Sequence, residues 1–162
     1  MTRMKPRVYV ETSVISYLTS RMSRDLVVAA RQELTGEVWP RLPREYEIVI
    51  SFPVVDEVSK GDPEAVGKRL EAIRNIPVLE VNAQVKTLAR KLMEARAIPS
   101  EYPEDALHVA VAAINGCGFV LTWNFAHLNN ALARAGIRRV IEEQGLESPE
   151  ICSPEEMFGE SP

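Results

Sequence analysis

Short apolar runs alternate with helical stretches along this chain, and several of the runs end on an oxygen-bearing side chain. Arg7–Val10 is β-branched and aromatic, follows Pro6, and leads straight into Glu11-Thr12-Ser13. Glu47–Ser51, residues 77–81 (PVLEV), residues 119–122 (FVLT) and the short Glu150–Cys152 have the same character. Compact apolar runs of this kind read as strands buried on both faces. Strand–helix alternation predicts an α/β fold with a mainly parallel sheet and helices on both of its faces. Open sheets of that kind bind ligands just beyond the carboxyl ends of their strands. The residues that follow each strand are therefore where chemistry is to be sought.

The helices are marked by caps and periodicity. Thr12 or Ser13 is placed to cap a helix over 14–19. Leu26, Ala29, Ala30 and Leu34 recur at helical spacing within 24–39, and the Pro40–Pro43 segment is expected to end that helix. Ser51 precedes Pro53 and a helix to Lys60, Asp62 precedes Pro63 and a helix to Asn75, and Asn82 precedes a long helix to Ala97. A small-residue-rich helix over 105–115 is suited to lie close on a sheet and is stopped by Gly116-Cys117-Gly118. Asn124 or Phe125 is expected to open a polar helix to Ala135, with a separate helical piece over 138–144 stopped by Gly145. Ser153-Pro154-Glu155-Glu156 has the form of a capping box. No repeat, low-complexity tract or linker interrupts the pattern, so residues 1–162 are expected to form a single domain.

Composition narrows the function. No apolar run approaches the ~18 residues of a membrane span, and no apolar stretch follows the basic N-terminus as in a signal peptide. Cys117 and Cys152 lie far apart in no metal-like spacing, so a reducing cytoplasm is the expected location. The net charge of −4 is uneven: residues 1–100 hold 16 basic against 13 acidic side chains, and residues 101–162 hold 3 against 10. An acidic total argues against tight non-specific binding to duplex nucleic acid while leaving room for local basic rims. Arg21, Arg24 and Arg31 form one candidate rim and Lys86, Arg90 and Lys91 another; each is equally readable as a solvated helix face. The few aromatics suggest no base-stacking platform.

The carboxylates form the sharpest pattern. Glu11 ends a buried strand, where a charge must be paired, bonded or metal-bound; capping the next helix is the structural alternative. Ser13 follows with a hydroxyl that either holds a ligand or caps. Glu57, three residues after Val54 on the packed side of its helix, reaches inward, whereas Asp56 points to solvent. Glu104 and Asp105 open a helix whose dipole favours negative charge. His108 one turn on reads best as a buried histidine with a structural partner, and Asp105 at i−3 is one candidate. Thr122 and Asn124 stand at the end of a strand, with His127 following; Asn124 is placed to assist a metal, contact a phosphate or cap a helix. Clustered carboxylates repel one another and call for a cation, and a hard divalent ion takes oxygen ligands. No phosphate-binding glycine loop, dinucleotide fingerprint, nucleophile elbow or paired-histidine zinc spacing is present.

Val10-Glu-Thr-Ser-Val, the Val-Asp-Glu-Val helix, Pro103-Glu-Asp-Ala-Leu-His-Val-Ala-Val-Ala, Leu121-Thr-Trp-Asn and Ile151-Cys-Ser-Pro-Glu-Glu, in that order, resemble the PIN domain family and, within it, the VapC-like toxins. The resemblance covers nearly the whole chain. It implies a three-layer α/β/α fold with a parallel sheet of about five strands, and a Mg²⁺- or Mn²⁺-dependent ribonuclease, often a homodimer, neutralised by a cognate antitoxin. Carried onto this sequence, it makes Glu11, Glu57, Asp105 and Asn124 the catalytic set and Glu11, Glu57 and Asp105 the metal ligands. Ser13 matches the hydroxyl beside the first acid, and Ser13, Thr122 and Asn124 are the expected contacts to substrate. Two positions depart from the usual pattern: Glu11 stands where the family more often has Asp, and Asn124 where Asp is common. Asn124 removes one negative charge, which weakens the case for a second tightly held metal, while three carboxylates can still bind one ion.

Two other readings stand beside the ribonuclease. One is a PIN-like module with weak or no turnover that acts in RNA or protein binding, motivated by Glu11 and Asn124. The other is a flavodoxin-like ligand-binding domain, disfavoured by the missing phosphate loop.

Overall fold

The computed structural model describes residues 4–158. Among them lie five strands, β1 (Arg7–Val10), β2 (Glu47–Ser51), β3 (Val78–Leu79), β4 (Phe119–Leu121) and β5 (Glu150–Cys152), in one sheet of order β3-β2-β1-β4-β5. All four pairings are parallel. The chain builds outward from β1 through β2 to β3, then crosses back to place β4 on the other side of β1. That reversal leaves a crevice beyond the ends of β1 and β4, where open sheets take their ligands. Val10 lies in register with Leu121, so Glu11 and Thr122 leave the sheet side by side, and the Glu11 amide donates to the Leu121 carbonyl at 3.0 Å.

The central strands are covered on both faces. Val8, Tyr9, Val10, Ile50, Val120 and Leu121 have no exposure, as the unbroken apolar runs require. The helices α1 (Thr12–Thr19), α2 (Leu26–Val38), α3 (Leu42–Glu45), α4 (Phe52–Val58), α5 (Pro63–Ile73), α6 (Ala83–Glu94), α7 (Pro103–Ile114) and α8 (Ala131–Glu143) complete a three-layer α/β/α sandwich. α1 packs on α2, α4 and α5, and α6 packs on α7 and α8, while α4 also meets α7. Ala106, Ala110, Ala112 and Ala113 of α7 are buried; a helix apolar on nearly all sides is one enclosed by the rest of the fold.

Several local expectations are corrected. The first helix is capped by Glu11, whose carboxylate accepts from the Ser13 amide, and Thr12 and Ser13 are already helical. α2 does end at Val38, just before the Pro40–Pro43 segment as expected, but the path stays helical beyond it: a 3₁₀ turn (Trp39–Arg41) and α3 follow, with the prolines in their first turns, where no N–H is required. Ser51 precedes α4 without a capping bond from its side chain; its hydroxyl is turned to Tyr9 instead. Residues 125–130 form turns, not the start of a helix, and the two helical pieces expected after them are one helix, α8, capped by Asn130. The caps Asp62 and Asn82 stand as expected, as does the Ser153–Glu156 box.

Candidate metal-binding cleft

The β1–α1 junction builds the centre of the site. Glu11 is 4% exposed, and three donors hold its carboxylate. Oε1 accepts from Ser13 Oγ and Thr122 Oγ1, each at 2.5 Å, and Oε2 accepts from the Ser13 amide at 3.1 Å. Both hydroxyls are themselves fixed. Ser13 Oγ accepts from the Trp123 amide at 2.8 Å, and Thr122 Oγ1 accepts from the Asn124 amide at 2.9 Å. The ends of the two central strands are thus stitched together through one carboxylate. Hydrogen bonds to an ionised acceptor are the strong kind, and they make a buried anion tolerable.

Glu57 reaches the same place from α4. Its Oε1 lies 2.6 Å from Nε2 of His108, a fully buried ring on α7. The other ring nitrogen lies 2.6 Å from the Tyr9 hydroxyl, which lies 2.6 Å from Ser51 Oγ. Burial alone would lower the His108 pKa; the bond with Glu57 and the charges of Glu11, Glu57 and Asp105 outweigh it and raise the value. Burial drives the Tyr9 hydroxyl the same way, well above its ordinary value, so the phenol stays protonated and available to donate. His108 has a structural partner, as its sequence suggests, but the partners are Glu57 and Tyr9 rather than Asp105.

Asp105, in the first turn of α7, bonds instead to His127: Oδ2 to Nδ1 is 2.9 Å. The His127 ring stacks on Tyr102 with centroids 3.8 Å apart. Asn124 closes a tight turn, its Oδ1 accepting from the His127 amide at 3.0 Å, so part of its acceptor capacity serves the backbone.

Glu11, Ser13, Glu57, Asp105 and Asn124 all line one open cleft of about 590 Å³. Thr122 lies beneath its floor with no exposure, its hydroxyl occupied by Glu11 and the Asn124 amide. Glu11, Glu57 and His108 each offer a ligand atom within 4.8 Å of the others, although His108 is fully buried behind Glu57 and lines no part of the cleft; Asp105 lines the cleft outside that tight group. The donor set suits a divalent cation. Glu11 Oε2 has a single protein donor, and among the described residues none is recorded for Glu57 Oε2 or Asp105 Oδ1. Each carboxylate therefore keeps a lone pair for an ion.

Sequence reasoning missed one wall of this cleft. Tyr17, Trp123 and Phe125 cluster there: Tyr17 stacks on Trp123 at 5.9 Å and 22°, and Phe125 meets Trp123 at 6.0 Å and 62°. The scarcity of aromatics hid the grouping, because α1 and the segment after β4 are remote in sequence. Of the two candidate basic rims, Arg31 alone lines the cleft. Lys91 bonds instead to Gln144, the residue that caps the C-terminus of α8.

The PIN domain family model matches residues 8–132. VapBC2 from Rickettsia felis, bound to a DNA fragment from its promoter, shares the fold with a TM-score of 0.57 and 14% identity over 91% of this chain and 98% of that one. Mycobacterium tuberculosis VapC20, a sarcin-ricin loop cleaving toxin, gives a TM-score of 0.54 and 19% identity over 80% of this chain and 95% of that one. VapBC-1 from nontypeable Haemophilus influenzae gives 0.56 and 14% over 92% and 98%. No curated protein matches the sequence. No helix among the described residues is long and apolar enough to cross a membrane.

Proposed function

This chain belongs to the PIN domain family, and from that premise we propose that it is a metal-dependent endoribonuclease, the toxin of a VapC-like toxin–antitoxin pair. The observation that carries the reading is the convergence of Glu11 and Glu57, with Asp105 beside them, in one open cleft at the switch point of the sheet. Glu11, Glu57 and Asp105 hold Mg²⁺ or Mn²⁺ in this reading. When bound, the ion neutralises phosphate charge and lowers the pKa of an attacking water. The protein's part is to keep the ligands in place: Ser13 and Thr122 fix Glu11, His108 fixes Glu57, and His127 fixes Asp105. A carboxylate of this set accepts the proton of the attacking water. Ser13 and Asn124 face the RNA, and Thr122 acts through Glu11.

The remaining elements of the proposal are an RNA substrate, a homodimer, an antitoxin partner and a cytoplasmic location, with residues 1–162 acting as one domain. The antitoxin draws support from the two VapBC complexes of like fold, and RNA cleavage from the toxin that cuts the sarcin-ricin loop.

The test is cleavage of a structured RNA mixture by the pure protein with Mn²⁺, Mg²⁺ or EDTA, beside Asp105→Asn. Metal-dependent cutting lost in the variant is expected. Full activity in the variant overturns the metal-site assignment. A folded protein that fails to cut with any metal, and gains no thermal stability from Mn²⁺, is a binding module without turnover.

A further inference from the structure

Three carboxylates make the cleft a poor place for a polyanion, yet one guanidinium lines it. Arg31 extends from α2, and its Cζ lies 4.7 Å from the centroid of Phe125 and 5.6 Å from that of Trp123. Among the described residues it forms no ion pair. A cation beside an acidic cluster ordinarily folds onto a carboxylate; this one is held by aromatic faces, whose quadrupoles attract it. Its planar fork of donors keeps its capacity for phosphate oxygens.

The wall behind it is rigid. Trp123 is 4% exposed, and its Nε1 donates to Thr35 Oγ1 at 2.8 Å, which in turn donates to the Arg31 carbonyl at 2.6 Å. One turn of α2 thus anchors both the arginine and the indole. Phe125, at the open end of the cluster, is 36% exposed, a half-uncovered apolar ring beside an available cation and an acidic centre.

Resting on the ribonuclease reading above, we propose that Arg31 and Phe125, backed by Trp123, form a nucleotide subsite of the cleft. Arg31 binds a phosphate flanking the one held at the carboxylates, and Phe125 stacks the adjoining base. Only an unpaired base offers its face to a ring, because a duplex has already stacked it. The subsite therefore selects single-stranded or looped RNA, and selects through stacking rather than base identity.

Binding tests this apart from cleavage. In an Asp105→Asn background, fluorescence anisotropy is read with a short unstructured fluorescein-labelled RNA and with the same strand in a duplex. Phe125→Leu, which keeps an apolar side chain, is expected to weaken single-strand binding about tenfold and to leave duplex binding unchanged. Arg31→Gln is expected to weaken it comparably and to flatten its dependence on salt. Circular dichroism verifies that both variants fold. Wild-type affinity in both folded variants, or equal losses on duplex and single strand, overturns the subsite. If the wild-type protein cuts RNA and Phe125→Leu binds normally, the subsite falls and the nuclease stands. If nothing cuts but single-strand binding needs Phe125, the subsite stands and the nuclease reading falls.

Discussion

His108 Nε2 lies 2.6 Å from Glu57 Oε1 although the two residues are 51 positions apart, and the ring between them and the sheet has no exposure. With the imidazole neutral, Nε2–H donates to Glu57, the Tyr9 hydroxyl donates to Nδ1, and Ser51 donates to Tyr9. Each polar side-chain group from Ser51 through Tyr9 to His108 then has a partner, and this connected buried network fixes the geometry of the carboxylate at its end. Tyr9→Phe removes the central link and leaves both Ser51 Oγ and His108 Nδ1 buried without a partner. We expect a loss of ~1–3 kcal/mol in urea denaturation. A change within a few tenths of a kcal/mol would show that the hydroxyl is dispensable to the fold.

Thr122 is the corresponding support for Glu11. Valine has the same shape and lacks the hydroxyl, so Thr122→Val strips Glu11 Oε1 of one donor and the Asn124 amide of its acceptor. A stability cost of ~1–3 kcal/mol is expected, together with a smaller Mn²⁺-induced rise in thermal midpoint. Thr122→Ser keeps the oxygen and should recover both. Wild-type stability and an unchanged Mn²⁺ response in Thr122→Val would show that the hydroxyl is dispensable.

What the sequence made legible follows from how local each feature is. Strand ends are local, and Glu11, Ser13 and Thr122 meet because β1 and β4 are parallel neighbours in register. The carboxylates converge because α4 and α7 begin near the same sheet edge. Residues 125–130 turn where periodicity expects a helix because asparagine side chains compete for the backbone: Asn130 Nδ2 donates to the Phe125 carbonyl and Asn129 Nδ2 to that of Thr122. The partners of the two histidines were not legible either. Asp105 and His108 stand at helical spacing, yet tertiary packing gives His108 to Glu57 and Asp105 to His127. The aromatic wall joins α1, α2 and the β4 exit, and no window of sequence holds all three.

The cysteines are inert by position. Burial pushes the Cys117 thiol up to about 11 and the Cys152 thiol up to about 12, and both are free. A thiolate is the reacting species, so neither should react with a disulfide reagent at pH 8 until the protein unfolds. The sign of the pH effect follows. Each folded value lies above the ordinary 9.0, so the protein holds protons that the unfolded chain releases. That contribution is complete below pH 9 and is lost as pH climbs through about 11 and 12. Cys117→Ala and Cys152→Ala should each fall less in thermal midpoint across that window than the parent. Rapid labelling of the native protein at pH 8 would contradict the assignment.

Asp105→Asn separates a metal ligand from a structural acid by the sign of its effect in two buffers. Asparagine keeps an oxygen that accepts from His127, so the bond to that ring survives, while one of three mutually repelling carboxylates in the cleft disappears. In EDTA the thermal midpoint of the variant should equal or exceed that of the parent. With Mn²⁺ the parent should rise with metal concentration, by the stabilisation that binding only the folded state confers, and the variant should rise far less. The order of the two proteins therefore holds or widens in EDTA and reverses in metal. A variant that is less stable in EDTA and keeps the full Mn²⁺ response would make Asp105 the fold's anchor for His127, with the ion held by Glu11 and Glu57 alone.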